Sequence, residues 1–231
     1  MKKIIVFTGA GISAESGLKT FRDADGLWEG YNVEDVATPR AYEKDKALVL
    51  RFYNERRKNV LDAQPNAAHK FLADLQNEIE IEIITQNIDD LHERAGSKKV
   101  LHLHGEIFKM RSEKNESLIY PIQGDIKVGD VADDGAQLRP HIVWFEEAVP
   151  MMDTAIRMSY DADCFVVIGT SLVVYPAASL LQYLPPFMPV IVLDKKVPKI
   201  DRKLVTYIEK PATEGIGKLR DVLREQGILS E

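Results

Sequence analysis

What constrains this chain most is where its apolar runs stop. Ile4-Ile5-Val6-Phe7 breaks off at Thr8-Gly9-Ala10-Gly11, and the run from Ile79 to Thr85, interrupted by glutamates, gives way to Gln86-Asn87-Ile88-Asp89. Phe165-Val166-Val167-Ile168 stops at Gly169-Thr170-Ser171, and Val190-Ile191-Val192-Leu193 at Asp194. Short β-branched runs of this kind read as strands buried on both faces. Between them, residues 45–63 and 67–76 repeat apolar positions at spacings of three and four, as helices do. The alternation predicts an α/β fold: a Rossmann-like parallel sheet with helices on both faces, plus a small inserted module. In such a sheet ligands gather beyond the carboxyl ends of the strands, so the chemistry is to be sought in the residues that follow them.

A chain of 231 residues holds one or two domains. The expected division assigns 1–25, 64–103 and 140–231 to the nucleotide-binding sheet. Residues 26–63 and 104–139 then form the small module, a helical insertion and a polar, glycine-containing flap. No apolar run approaches the length of a membrane span. Met1-Lys2-Lys3 and the apolar residues after it read as a first strand, because no cleavage pattern follows. The formal net charge of −6 argues against a nucleic-acid partner. The single cysteine, Cys164, excludes an internal disulfide and a cysteine-built metal site. The expectation is a cytoplasmic monomer without a structural metal.

Gly9-Ala10-Gly11-Ile12-Ser13-Ala14 matches the glycine-rich dinucleotide pattern in its G-x-G-x-x-A form. Its glycines permit a tight turn and close approach of backbone N–H groups to a pyrophosphate. Taken by itself, the fragment equally describes a plain turn between strand and helix. An ordinary dehydrogenase would place a ribose-binding acid about 20 residues further on. Here the chain continues through Gly17-Leu18-Lys19-Thr20-Phe21-Arg22-Asp23, which disfavours hydride transfer.

Taken together, Gly9-Ala10-Gly11-Ile12-Ser13 with Phe21-Arg22, then Thr85-Gln86-Asn87-Ile88-Asp89, His104-Gly105 and Gly169-Thr170-Ser171 resemble the sirtuin family, in this order and over nearly the whole chain. The resemblance implies a bacterial-type NAD-dependent protein-lysine deacylase, with NAD extended in a cleft between the sheet domain and the module. Gly9, Ala10, Gly11 and Ser13 would line the pyrophosphate, and Phe21 and Arg22 would sit on the loop that closes over it. Gln86, Asn87, Ile88 and Asp89 would surround the ribose and nicotinamide, with Asp89 accepting from the carboxamide. Gly169, Thr170 and Ser171 would meet the adenosine half. Asp194 stands where the family usually has Asn on a ribose, and Ala212 matches a position near the adenine. In the family mechanism the acyl oxygen attacks the ribose carbon as nicotinamide leaves, and His104 takes a proton from a ribose hydroxyl, with Asn87 beside it. The products are nicotinamide, deacylated lysine and O-acyl-ADP-ribose. Imidazole suits that task because its ordinary pKa lies near neutrality. His102, two residues earlier, reads as a buried structural histidine rather than half of a metal pair, since no third ligand stands at a suitable spacing.

Tyr53 and Arg56 share a face of the helix expected over 45–63 and resemble the pair with which some sirtuins bind succinyl- or malonyl-lysine. Ala37 would leave room for the longer chain. Val143 and Phe145 lie in a strand-like segment whose family counterpart pairs with substrate peptide. Glu146 replaces the usual glycine there, a change that matters if φ is positive. The four zinc-binding cysteines common in the family are missing from 111–139. Two further readings keep some of these features: an ADP-ribosyltransferase or NAD hydrolase, and a catalytically idle NAD-binding module.

Overall fold

The computed structural model describes residues 2–20, 28 and 30–230. Six parallel strands make the main sheet: β1 (Lys3–Thr8), β2 (Glu80–Thr85), β3 (Val100–His102), β7 (Cys164–Ile168), β8 (Val190–Asp194) and β9 (Val205–Glu209). Their order is β3-β2-β1-β7-β8-β9, every neighbouring pair parallel. Strand order reverses between β1 and β7, which opens a crevice beyond their carboxyl ends.

β1, β7 and β8 are apolar along almost their whole length because both faces are covered. Ile4, Val6, Ile81, Ile83, Val166, Ile168, Ile191 and Leu193 pack under α5 (Ala67–Leu75) and α8 (Ala212–Glu225). The alternate residues Ile5, Phe7, Ile84, Phe165, Val167, Val190 and Val192 face α7 (Met152–Tyr160) and the 3-10 segment Ala177–Tyr183. Glu82, one of the glutamates that interrupt β2, is paired with Lys3 and Lys99 at 2.8 and 3.1 Å.

The second unit combines α2 (Val33–Val36), α3 (Pro39–Lys44) and α4 (Lys46–Asp62) with an antiparallel sheet, ordered β5-β4-β6, of β4 (Gly105–Ser112), β5 (Ile119–Pro121) and β6 (Leu138–Ile142). β6 runs across residue 139, so this sheet extends three residues past the boundary expected from sequence. Two short helices complete the elements, α1 (Ala10–Ala14) and α6 (Leu91–Arg94). Asp45 caps α4 by accepting from Leu48 N, and Asn66 with His69 forms a capping box on α5.

Without cysteines, the module is tied together through α4. Arg57 is fully buried; its Nε donates to Ile107 O at 2.9 Å, and its Nη1 to Gly124 O at 3.1 Å and Asn54 Oδ1 at 2.9 Å. Asn54 exchanges two hydrogen bonds with the Ile126 backbone, at 2.9 and 3.0 Å. Burial lowers the Arg57 pKa to about 10, so the guanidinium stays charged at neutral pH. Among the described residues no group of His, Cys, Asp and Glu gathers that could hold a metal, and no helix is long and apolar enough to cross a membrane.

Candidate active site

The crevice is built first from two strand-end turns pressed backbone to backbone. A Cβ on Gly11 would lie 2.7 Å from Gly169 Cα, and one on Gly169 would lie 2.3 Å from Ile12 N, with Gly169 already at φ +64°. Only glycine permits this contact. Gly9 N donates to Ile168 O at 3.1 Å and Gly11 N to Gly169 O at 2.8 Å. The amides of Gly9 and Gly11 are therefore used inside the protein, in closing the tight turn that the glycines were expected to permit. The glycines close the turns together and thereby shape the floor of a cleft of about 400 Å3.

Along one wall stand the residues after β2. Asn87 is buried, and its Nδ2 donates to Gly9 O and Ser13 Oγ, both at 3.1 Å, leaving Oδ1 as its remaining acceptor. Asp89 is also buried and accepts from Leu91 N at 3.2 Å. Burial raises its pKa, and hydrogen bonds from Leu91 and Ser13 work against that rise. Ser13 also meets His69 Nε2 at 3.4 Å; His69 accepts from Asn66 N on its other nitrogen, and burial lowers its pKa to about 4, so it is neutral. Gln86 reaches across the crevice, its Nε2 donating to Thr170 Oγ1 at 3.0 Å.

His104 follows β3 and stands before Gly105, whose φ is +81°; a Cβ there would sit 2.0 Å from His141 O, so no other residue fits. His104 Nδ1 lies 3.0 Å from Gln86 O, and a carbonyl can only accept, so Nδ1 carries the hydrogen. Nε2 is then the proton acceptor of the neutral ring. Burial lowers the His104 pKa despite the bond to Gln86. A base whose folded pKa lies below its ordinary 6.5 remains neutral at pH 7. The acid limb of activity should therefore show one proton and a midpoint below pH 6.5 in initial rates at saturating NAD; a midpoint at or above 7 would contradict this assignment.

His102 is held on both nitrogens, by Asn87 O at 2.9 Å and Glu93 at 2.8 Å. Burial works against its charge, but the Glu93 contact outweighs that, and its pKa is raised. It is a hydrogen-bonded structural residue, with neither ring nitrogen available to a metal.

The same cleft is lined on its module side by α4 and the segment after β6. Tyr53, Arg56, Ala37, Trp28 and Trp144 line it, each nearly fully buried. Burial pushes the Tyr53 phenol well above its ordinary pKa, so it enters as a neutral hydroxyl. Arg56 donates to Lys19 O at 3.2 Å, and its guanidinium carbon lies 5.2 Å from the Trp28 ring. Val143 and Phe145 line the cleft too, but Val143 N donates to His104 O at 2.9 Å and Phe145 N to Ala37 O at 3.0 Å. Those two donors are thus unavailable for pairing with a peptide strand. The segment also links the candidate base to the pocket wall.

Of the residues singled out from sequence, Gly9, Ala10, Gly11, Ser13, Gln86, Asn87, Ile88, Asp89, His104, Gly169, Thr170, Ser171, Asp194 and Ala212 line this one cleft with the pocket residues. Phe21 and Arg22 lie outside the described residues. Trp144, Trp28, Leu18 and the run Val174-Tyr175-Pro176 also line it and were not anticipated. Neither tryptophan belongs to a chemical motif in the sequence, and the Val-Tyr-Pro run carries no chemistry-bearing side chain except a phenol.

Comparison with known proteins agrees with this geometry. Residues 9–176 match the model of the Sir2 family. The chain is 50% identical over 230 residues to an NAD-dependent protein deacylase of Bacteroides thetaiotaomicron, covering 96% of this chain and 98% of that one. It is 55% identical over 183 residues to an NAD-dependent protein deacylase of Helicobacter pylori, covering 79% and 80%. Among solved structures, a Sir2 homologue mutant in complex with ADP-ribose superposes with a TM-score of 0.87 at 37% identity, covering 100% of this chain and 95% of that one. A Sir2 homologue–NAD complex gives 0.85 at 37% identity, covering 97% and 90%.

Proposed function

The chain belongs to the Sir2, or sirtuin, family, and we infer from that premise and from the cleft that it is an NAD-dependent protein-lysine deacylase, yielding nicotinamide, deacylated lysine and O-acyl-ADP-ribose. One observation carries the reading. A histidine with its tautomer set by a backbone carbonyl, a buried Asn–Asp pair and an apolar pocket share one cleft with the interlocked glycine turns.

NAD fits the donor set. The interlocked turns, which only glycine at 11 and 169 allows, give a close-packed backbone floor, Asp89 offers an acceptor to a carboxamide, and Asn87, whose Nδ2 is engaged by Gly9 and Ser13, keeps Oδ1 as an acceptor. When bound, NAD supplies a ribose carbon made electrophilic by its nicotinamide leaving group. The protein's part is to hold and to shield. Asn87 and Asp89 orient the nicotinamide end, and Ser13 braces both. His104 Nε2 accepts the ribose-hydroxyl proton, and its bond to Gln86 O strengthens as the ring becomes positive. Trp144, Trp28 and Tyr53 keep water from the acyl group.

For the acyl group we propose that Arg56 and the Tyr53 hydroxyl receive the distal carboxylate of succinyl- or malonyl-lysine, with acetyl-lysine also accepted. Arg pairs strongly with carboxylates, and the small Ala37 side chain gives the chain room. Losing a charge-assisted hydrogen bond in a buried site costs roughly 1.5–3 kcal/mol. In Arg56→Met the succinyl-to-acetyl ratio of kcat/KM is therefore expected to fall about ten- to a hundred-fold. Nicotinamide release from acetyl-, succinyl- and butyryl-lysine peptides with NAD tests this, and an unaltered ratio would overturn the assignment. Acylated lysines of other proteins are the partners, and a monomer in the reducing cytoplasm, where the single buried thiol of Cys164 stays free, is the proposed setting.

A further inference from the structure

We propose that Glu146 selects protein substrates carrying a basic residue beside the acylated lysine. Glu146 has φ +73°, in the left-handed region that side chains other than glycine rarely adopt. A non-glycine residue held there at a functional cleft points from the strain to a role.

The turn itself does not need this side chain. Residues 144–147 are closed by Glu147 N donating to Trp144 O at 3.2 Å and by Trp144 N donating to the Glu147 carboxylate at 2.7 Å. Arg139 braces that carboxylate with two hydrogen bonds, at 2.7 and 3.1 Å, while its guanidinium lies 3.3 Å from the Trp144 ring centre. Glu147 is thereby neutralised, and Arg111 adds a second cation at 3.8 Å. Glu146 takes no part in this closure. Its carboxylate is half exposed, lines the cleft, and is paired with the well-exposed Arg40. A glycine would satisfy the backbone better, so the carboxylate is what the position retains.

Its place fits a peptide contact. Exposure rises along the segment from Trp144 at 2% to Phe145 at 38%, which puts Glu146 at the mouth of the pocket that takes the acyl chain. An extended peptide advances about 3.3 Å per residue. A long basic side chain beside an acylated lysine seated in that pocket would then meet the exposed Glu146 carboxylate on its rim. A peptide Lys or Arg would replace Arg40, whose exposed pairing is weak and easily exchanged.

This inference rests on the deacylase reading, and the experiment separates the two. Peptides with one acyl-lysine, flanked by Arg, Gln or Glu, are assayed with NAD at low ionic strength. The wild type is expected to show a KM about two- to five-fold lower for the Arg-flanked peptide than for the Glu-flanked one, a preference that added salt erodes. Arg40→Gln should widen the preference by removing the competitor. Glu146→Gln, which keeps the backbone strain but loses the charge, and Glu146→Gly, which relieves the strain, should both abolish it. A preference that survives in either Glu146 variant, or a wild type indifferent to the flanking charge, overturns the proposal. Absence of turnover with every peptide would overturn the deacylase reading, and this inference with it.

Discussion

Replacing His104 by alanine is expected to lower NAD-dependent deacylation by about 10²–10⁴-fold while NAD still binds. The magnitude is that of removing a positioned general base. The split between binding and turnover follows from what surrounds the ring. Its partner is a main-chain carbonyl, Gln86 O, and the segment around it is held by Val143 N on His104 O, a backbone bond that survives the substitution. Gly105 is still accommodated at its positive φ. Calorimetry with NAD and initial rates with an acylated peptide would measure the two effects separately. Undiminished turnover would remove His104 from the mechanism, and lost NAD binding would make its role structural.

Arg57→Met is expected to destabilise the protein by roughly 3 kcal/mol or more, lowering Tm by about 6–12 °C. The substitution leaves the carbonyls of Ile107 and Gly124 and the Asn54 side chain without their donor in a buried site. Lysine should not rescue it, because one ammonium cannot reach acceptors that a planar guanidinium serves from two of its nitrogens. Hydrogen exchange at the Ile126 amide, held by Asn54, should accelerate more than exchange in β1. Thermal unfolding and exchange together would show whether α4 supplies the module's cohesion. A variant as stable as the wild type would show that packing suffices.

The parallel sheet was legible because β1, β7 and β8 are buried on both faces, so their runs are apolar without a break. β9 escaped notice for the opposite reason: it is an edge strand in which only Ile208 is buried. The cleft residues were legible where strand ends coincide with small or polar residues, as at Gly9, Asn87 and Gly169. Their physical use was less so. The glycine pattern announces a tight turn but not its partner: Gly9 and Gly11 donate their own amides to β7 and its turn. At Glu146 the missing glycine does matter, since the backbone there is left-handed. Arg57 could not have been found, because Arg56-Arg57-Lys58 reads as a solvated basic run until the flap folds over its middle member.

Everything turns on whether the cleft transfers an acyl group from lysine to the sugar of NAD, and mass spectrometry of the products tests that most directly. With an acyl-lysine peptide and NAD, one nicotinamide and one O-acyl-ADP-ribose are expected for every lysine uncovered. Nicotinamide released with the peptide still acylated, or protein gaining the mass of ADP-ribose in its place, would contradict it.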